Sequence, residues 1–367
     1  MSTKEEIPAL SFILEPALVA SLLTLGCLLN RRKASDIVLA NQLAESPTSP
    51  PAYQGAHIKQ MRFLFWTVKV PDNARFRMNI TSRLLAMFPF LMEVWYWLLT
   101  YWVYQIARAA QALTMGASTR QLSEDHARQI LNVEKWLHID VELDLQRLVM
   151  RHDWLLWFFN KTYAMVHIPA TIAFMGYSYR YFQPQIFQST RRTLVICNCL
   201  AFIIFSSWPC MPPRLLPYDE FEYVDTLHTG KAASIWTTNK FQNQLAAFPS
   251  LHFGYSFVIG MSLLAFSPHR IMRLVAPLYP VLILLVIMAT ANHYILDAVG
   301  GLFVTIIAYR INQVLLNLRP IEEWSFWIIR TEKPMDKSQF QNAILRDSTI
   351  SAVHRDMTQR PLISSPE

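Results

Sequence analysis

The feature that most limits what this chain can become is a series of long apolar runs separated by polar stretches. A helix needs about 20 apolar residues to cross roughly 30 Å of hydrocarbon. Seven stretches of that order recur: Ala9–Leu29, Leu84–Ile106, Trp154–Gly176, Thr193–Trp208, Leu251–Phe266, Leu274–Ala291 and Ala298–Leu316. The fourth and fifth hold only 16 residues each, so they cross with little tilt or carry polar ends into the bilayer. Composition agrees: 53% of residues are hydrophobic and 16% charged, against about one quarter charged in an ordinary soluble domain. The pattern predicts an all-α, multi-pass membrane bundle of about seven transmembrane helices.

The charge balance is nevertheless basic, with 33 Lys and Arg against 26 Asp and Glu. Position explains it. Arg31, Arg32 and Lys33 follow the first run, and Lys59, Arg62, Lys69, Arg75, Arg77 and Arg83 follow before the second. Cytoplasmic loops collect such residues, and alternation then puts Arg180, Arg191 and Arg192, then His269, Arg270 and Arg273, then Arg319 on the same side. The N-terminus is expected to face the lumen or exterior and the C-terminus the cytosol. The polar loop after the second run fits least well, because it also carries Arg108, Arg120, Arg128, Lys135, Arg147 and Arg151. A charge excess distributed this way is a topology signal, not a nucleic-acid surface. Nine glycines with no phosphate-cradling glycine motif, and four cysteines with no CxxC, remove a nucleotide loop and a disulfide framework.

These readings divide the chain into an N-terminal transmembrane helix (1–30), a basic cytoplasmic loop (31–83), a membrane-embedded domain (84–318) and a polar cytoplasmic tail (319–367). The first run lacks a basic leader and carries Glu15, so it is expected to be a retained span. Residues 34–60, with Ser46-Pro47-Thr48-Ser49-Pro50-Pro51, predict a flexible loop, and the tail from about 331 partial disorder. In 119–151, Val141, Leu145, Leu148 and Val149 recur at helical spacing, predicting amphipathic helices on the lumenal surface. Glu15 and Glu93 lie within spans and are assigned no chemistry. The aromatic runs at Trp95–Trp97 and Trp154–Trp157 read as interfacial belts.

Two segments put ionisable groups at membrane depth, where such groups are expensive and functional by default. Phe248-Pro249-Ser250-Leu251-His252 opens the fifth run, and Asn292-His293-Tyr294-Ile295-Leu296-Asp297 joins the sixth to the seventh. By the alternation above, both lie at the lumenal interface. His293 and Asp297 are four apart and would share one face of a helix. A His–Asp pair facing a second His suits nucleophilic and acid–base catalysis. Arg214, in Trp208-Pro209-Cys210-Met211-Pro212-Pro213-Arg214, offers a donor fork for phosphate, or else snorkels at the interface. Lys231 and Lys240 read as solvated loop lysines. His167, inside the third run, either hydrogen-bonds within the bundle or lines a substrate cleft, and Asn292 is a second candidate for that cleft.

The order Pro-Pro-Arg, Pro-Ser-Leu-His, Asn-His-Tyr-x-x-Asp resembles the type 2 phosphatidic acid phosphatase superfamily, over about residues 85–316. Including Phe221-Glu222-Tyr223-Val224-Asp225-Thr226-Leu227, it is more similar to the inositolphosphotransferase branch, which contains the inositol phosphorylceramide synthases. The resemblance implies a six-helix core in which His293 attacks phosphorus, Asp297 orients it, and His252 serves as acid and then base. Ser250 and Arg214 would hold the phosphate oxygens, with no metal and no cofactor. The implied partners are the bilayer itself, a phospholipid donor and a lipid alcohol such as ceramide, on an endomembrane with the site facing the lumen. The phosphatases of the superfamily usually carry an arginine six residues before the second histidine. Here that position is Ile287, which shifts weight from hydrolysis to transfer. The alternative is a lipid phosphate or polyprenyl diphosphate phosphatase. A non-catalytic scaffold or transporter would have no use for the His/His/Asp set.

Overall fold

The computed structural model describes residues 11–45, 58–112, 116–227 and 244–345. Its first elements are α1 (Ser11–Leu29), α2 (Ala34–Glu45), β1 (Ile58–Phe63), β2 (Trp66–Pro71), α3 (Ile80–Met87) and α4 (Phe90–Ala112). Next come α5 (Ala117–Leu137), α6 (Glu142–Met150), α7 (Asp153–Met165), α8 (His167–Tyr181), α9 (Pro184–Ser207) and the one-turn α10 (Tyr218–Phe221). The last are α11 (Leu251–Phe266), α12 (Arg270–Val275), α13 (Leu278–Ala289), α14 (Ile295–Ile311) and α15 (Arg319–Ile328). The chain divides into two compact units: residues up to Gly26 with Val94–Gln313, and Cys27–Glu93 with the residues from Val314 onward. The described residues are predominantly helical, with two small strands and connecting segments between the helices.

In the first unit α11 packs against α9, α13 and α14. Glycine makes the α11–α14 approach close enough, since a Cβ on Gly301 would stand 2.3 Å from the Ser250 carbonyl oxygen. That brings the N-terminal ends of α11 and α14 side by side, and the Ser250 N–H donates to the Asp297 carbonyl at 2.9 Å. The amphipathic α5 and α6 run where their periodicity predicted. However, α6 buries Glu142, Gln146 and Val149, while Val141 and Leu148 are exposed.

Among the described residues, three helical stretches are long and apolar enough to cross a membrane: Pro184–Ser207, Arg270–Ala289 and Ile295–Ile328. The number rises to five if two bent helix pairs, near the first two predicted runs, each count as one span. The predicted seven is therefore not reached on length and composition. Leu251–Phe266 is apolar but short. Trp154–Gly176 is not one helix, because α7 stops at Met165 and α8 starts at His167. Pro169 accounts for the break: it has no N–H for the Met165 carbonyl, and its ring would strike that carbonyl in a continuous helix.

The second unit holds the β1–β2 hairpin, registered from Ile58↔Pro71 to Phe63↔Trp66, with α15 packed on it. The Asn73 amide donates to the Glu323 carbonyl and carboxylate, both at 3.0 Å, and Arg77 and Glu332 form a forked ion pair. Lys59 pairs with Asp72 at 2.8 Å, and Arg32 donates to the Met335 carbonyl at 2.8 Å. Residues 34–45 and 58–60 are thus ordered structure, not the flexible loop expected, and basic side chains of the 31–83 region pair with the 319–335 segment. The proline-rich Ser46–Pro51 stretch and the residues after 345 lie outside the described residues.

Candidate active site

Three connecting segments meet at the mouths of α11 and α14, and backbone hydrogen bonds join them. The Cys210 N–H donates to the Leu245 carbonyl at 2.9 Å, and the Ala247 N–H to the Cys210 carbonyl at 3.0 Å. The Arg214 N–H donates to the Ala291 carbonyl at 2.9 Å. After α13 the chain reverses through Ala291, whose φ of 51° lies in the left-handed region. The Asn292 and His293 N–H groups then return to the Ile287 carbonyl, at 3.0 and 3.2 Å, the kind of closure that ends a helix when a left-handed residue follows it. The side chain of Ile287 is buried among apolar neighbours, so its position supplies no cation.

His293 is buried and held from its Nδ1 side. Nδ1 lies 2.8 Å from the Ala247 carbonyl and 3.2 Å from Asp297 Oδ2. A carbonyl only accepts, so the hydrogen sits on Nδ1 and the lone pair on Nε2. The contact with Asp297 does not arise as the spacing predicted. α14 begins at Ile295, and Tyr294 before it is extended, so His293 is not on the helix at all. Asp297, fully buried in the first turn, reaches back instead. Its Oδ2 also accepts the Tyr294 N–H at 3.0 Å.

His252 occupies the first turn of α11, whose N-cap is Ser250: the serine Oγ accepts the Phe253 N–H at 3.4 Å. The His252 ring centroid lies 5.7 Å from that of His293. It stacks on Tyr163 of α7 at 4.7 Å and stands 4.8 Å from His167 of α8. His167 Nδ1 has no hydrogen-bond partner among the described residues, and its ring also approaches Tyr255, at 5.4 Å. Tyr163 and His167, at the end of α7 and the start of α8, both stand beside His252.

Arg214 is buried on a short 3-10 turn over Pro213–Leu215. Its Nε donates to Asn292 Oδ1 at 2.8 Å and its Nη1 to Asp225 Oδ2 at 3.2 Å. Asn292 in turn donates to the hydroxyl and carbonyl oxygens of Thr290, at 2.8 and 3.1 Å. Asp225 is fixed by amide side chains on the segment around it. Gln146 of α6 exchanges two hydrogen bonds with the Val224 backbone, and Asn160 of α7 bonds both the carbonyl and the hydroxyl of Thr226. Ion pairs Arg128–Glu220 and Arg147–Glu222 tie the same segment to α5 and α6.

Thus His252, His293, Asp297, Arg214, Asn292, Ser250 and His167 all fall within one contact network. Lys231 and Lys240 lie outside the described residues. Sequence reasoning missed Tyr163, Gln146 and Asn160 as parts of the surroundings, and it quoted Asp225 only within a motif. Among the described residues no three His, Cys, Asp or Glu side chains converge as metal ligands would.

A helical chain with apolar helices long enough to cross a membrane, and with two histidines and an aspartate gathered where two helices begin, has the character of a multi-pass membrane protein. The model of the PAP2 superfamily matches residues 128–311, half of the chain, and the chain belongs to that superfamily. The superfamily generally comprises phosphatases and phosphotransferases, which supports an enzyme with a lipid activity of that general type. A search of curated proteins gave no match, and a search of solved structures gave none.

Proposed function

We propose that this protein transfers a phosphorylated head group, such as phosphoinositol, from a glycerophospholipid to a lipid alcohol such as ceramide. The observation that carries the reading is the fixed tautomer of His293, whose Nε2 lone pair is left for attack while His252 stands across from it. In the first step a bond forms between His293 Nε2 and phosphorus. The bond from phosphorus to the diacylglycerol oxygen breaks, and protonated His252 gives that oxygen its proton. In the second step the acceptor hydroxyl yields its proton to His252 and attacks phosphorus, and the phosphorus–nitrogen bond breaks. Asp297 carries no proton through this cycle; its charge stabilises the positive imidazole. Arg214 and Ser250, at the N-terminal end of α11, hold the equatorial oxygens as negative charge develops there.

The apolar Ile287, where the phosphatases of the superfamily usually have arginine, favours transfer over hydrolysis. By the distribution of Lys and Arg, the site faces the lumen of an endomembrane such as the endoplasmic reticulum or Golgi. The test is purified protein with labelled phosphatidylinositol, with and without ceramide, and mass spectrometry of the products. Inositol-phosphorylated ceramide supports transfer, whereas free inositol phosphate alone would favour hydrolysis. Unchanged product formation by His293→Ala would overturn the phosphohistidine.

A further inference from the structure

The first turn of α14 carries Asp297, and its backbone N–H groups have no partner inside the helix. The acceptors for two of them come from distant parts of the chain. Glu142 Oε1 accepts the Ile295 N–H at 2.8 Å, and Glu134 Oε1 accepts the Leu296 N–H at 2.8 Å. Both glutamates are fully buried, and their second oxygens, Glu134 Oε2 and Glu142 Oε2, have no hydrogen-bond partner among the described residues. The Ile295 and Leu296 N–H groups are consecutive, so the two carboxyl groups that accept from them are brought side by side. Two carboxylates only accept, so such a contact needs a hydrogen on one of them. A single proton between them would satisfy both orphaned oxygens at once and remove the repulsion of adjacent charges in a dry site.

We propose that Glu134 and Glu142 are positioning residues for the transfer site, sharing one proton and clamping the first turn of α14 so that Asp297 meets His293. The role deepens the reading of His293 and Asp297 as the reacting pair, and rests on it. Burial, and then the charge of Glu142, push the Glu134 carboxyl up to about 9, and burial raises Glu142 as well. The titratable groups facing the pair are Asp297 of α14, Tyr223 and Cys210 of the connecting segments, and Tyr294 just before α14. Asp140, just before α6, and Asp144, in its first turn, act on Tyr223.

The pair's proton sets the sign of a pH effect. A carboxyl with a folded-state pKa above its unfolded value stabilises fully below the unfolded pKa and loses that contribution as pH rises through the folded one. Here the window runs from about 4.5 to about 9. In Glu134→Gln the amide supplies the donor that the shared proton supplied, and nothing at that position titrates.

The experiment uses the full chain in detergent: wild type, Glu134→Gln and Glu134→Ala. Thermal unfolding is followed from pH 6 to 10, and kcat and KM are measured with labelled phosphatidylinositol over the same range. The melting temperature of the wild type should fall with pH more steeply than that of Glu134→Gln. Wild-type kcat should fall by roughly tenfold per pH unit once the pair has lost its proton, with KM little changed, and the glutamine should remove that alkaline limb. Glu134→Ala should lose kcat at every pH and be rescued by glutamine. If the alanine variant does not fold, wild type against glutamine decides. Superimposable pH curves for those two, in both unfolding and kcat, would overturn the proposal. If no lipid is turned over by any form, the transfer reading fails, and the unfolding curves still decide the shared proton.

Discussion

Replacing Asp297 with asparagine separates the charge of that side chain from its position. The amide oxygen can keep accepting the Tyr294 N–H, now 3.0 Å from Oδ2, so the cap of α14 survives. The His293 tautomer survives as well, because the Ala247 carbonyl, at 2.8 Å, holds the Nδ1 hydrogen without help from the carboxylate. What disappears is a negative charge 3.2 Å from the imidazole at the moment that ring becomes positive. A hydrogen bond to a charged group contributes about 1.5–3 kcal/mol, so kcat should fall by roughly 10- to 150-fold with KM nearly unchanged.

The assay is release of labelled head group from phosphatidylinositol in mixed micelles, read beside a thermal melt. A melting temperature within a few degrees of wild type establishes that the cap is intact. A serine-protease triad loses about 10⁴ in kcat on the same substitution because its histidine adopts the wrong tautomer. A loss of that size here would refute the assignment of tautomer control to Ala247. A loss below about threefold would mean that no positive charge builds on His293, and would remove Asp297 from the chemistry.

Three further outcomes follow from the surrounding contacts. Arg214→Lys keeps the charge but cannot reach Asn292 and Asp225 with one planar fork, so kcat/KM should fall by roughly 10- to 100-fold; an unchanged value would mean that Arg214 only snorkels. Asn160→Ala leaves the Thr226 carbonyl and hydroxyl without partners in a buried place and should cost about 1–3 kcal/mol of stability. Its activity loss should resemble that of Asp225→Asn, since both loosen Arg214, and kinetics on the two variants side by side check this. Gly301→Ala forces a methyl against the Ser250 carbonyl, 2.3 Å away, and should destabilise by about 1–3 kcal/mol, visible as a melting temperature several degrees lower.

The sequence makes the proposed reacting groups legible because a histidine or aspartate at the end of an apolar run has few structural reasons to be there. It misleads about how they meet. Four-residue spacing reads as one helix face, yet the His293–Asp297 contact is a helix cap reaching back to a residue outside the helix. The described helices that are long and apolar enough to span number fewer than seven for a related reason: hydropathy averages across Val166, while the proline three residues later breaks the helix there. The supporting shell was not legible at all. Gln146 meets Val224 and Asn160 meets Thr226 across long separations in the chain, and Glu134 and Glu142 look like ordinary surface acids of amphipathic helices.

These cases share a cause. α11 and α14 begin deep in the protein, so their first N–H groups cannot be left to water, and each must find an acceptor. Ser250 and Asp297 supply acceptors from within their own segments, and Glu134 and Glu142 from α5 and α6. The side chains that satisfy the helix ends are therefore the same ones, or the immediate neighbours of the ones, assigned to hold phosphate and orient His293. Local propensity cannot reveal such a set, because two of the four acceptors are supplied only when the tertiary fold closes. A change that loosens one of these caps should therefore lower stability and activity together, because it moves the Asp297 charge away from His293, whereas Asp297→Asn, which keeps the cap, lowers activity alone.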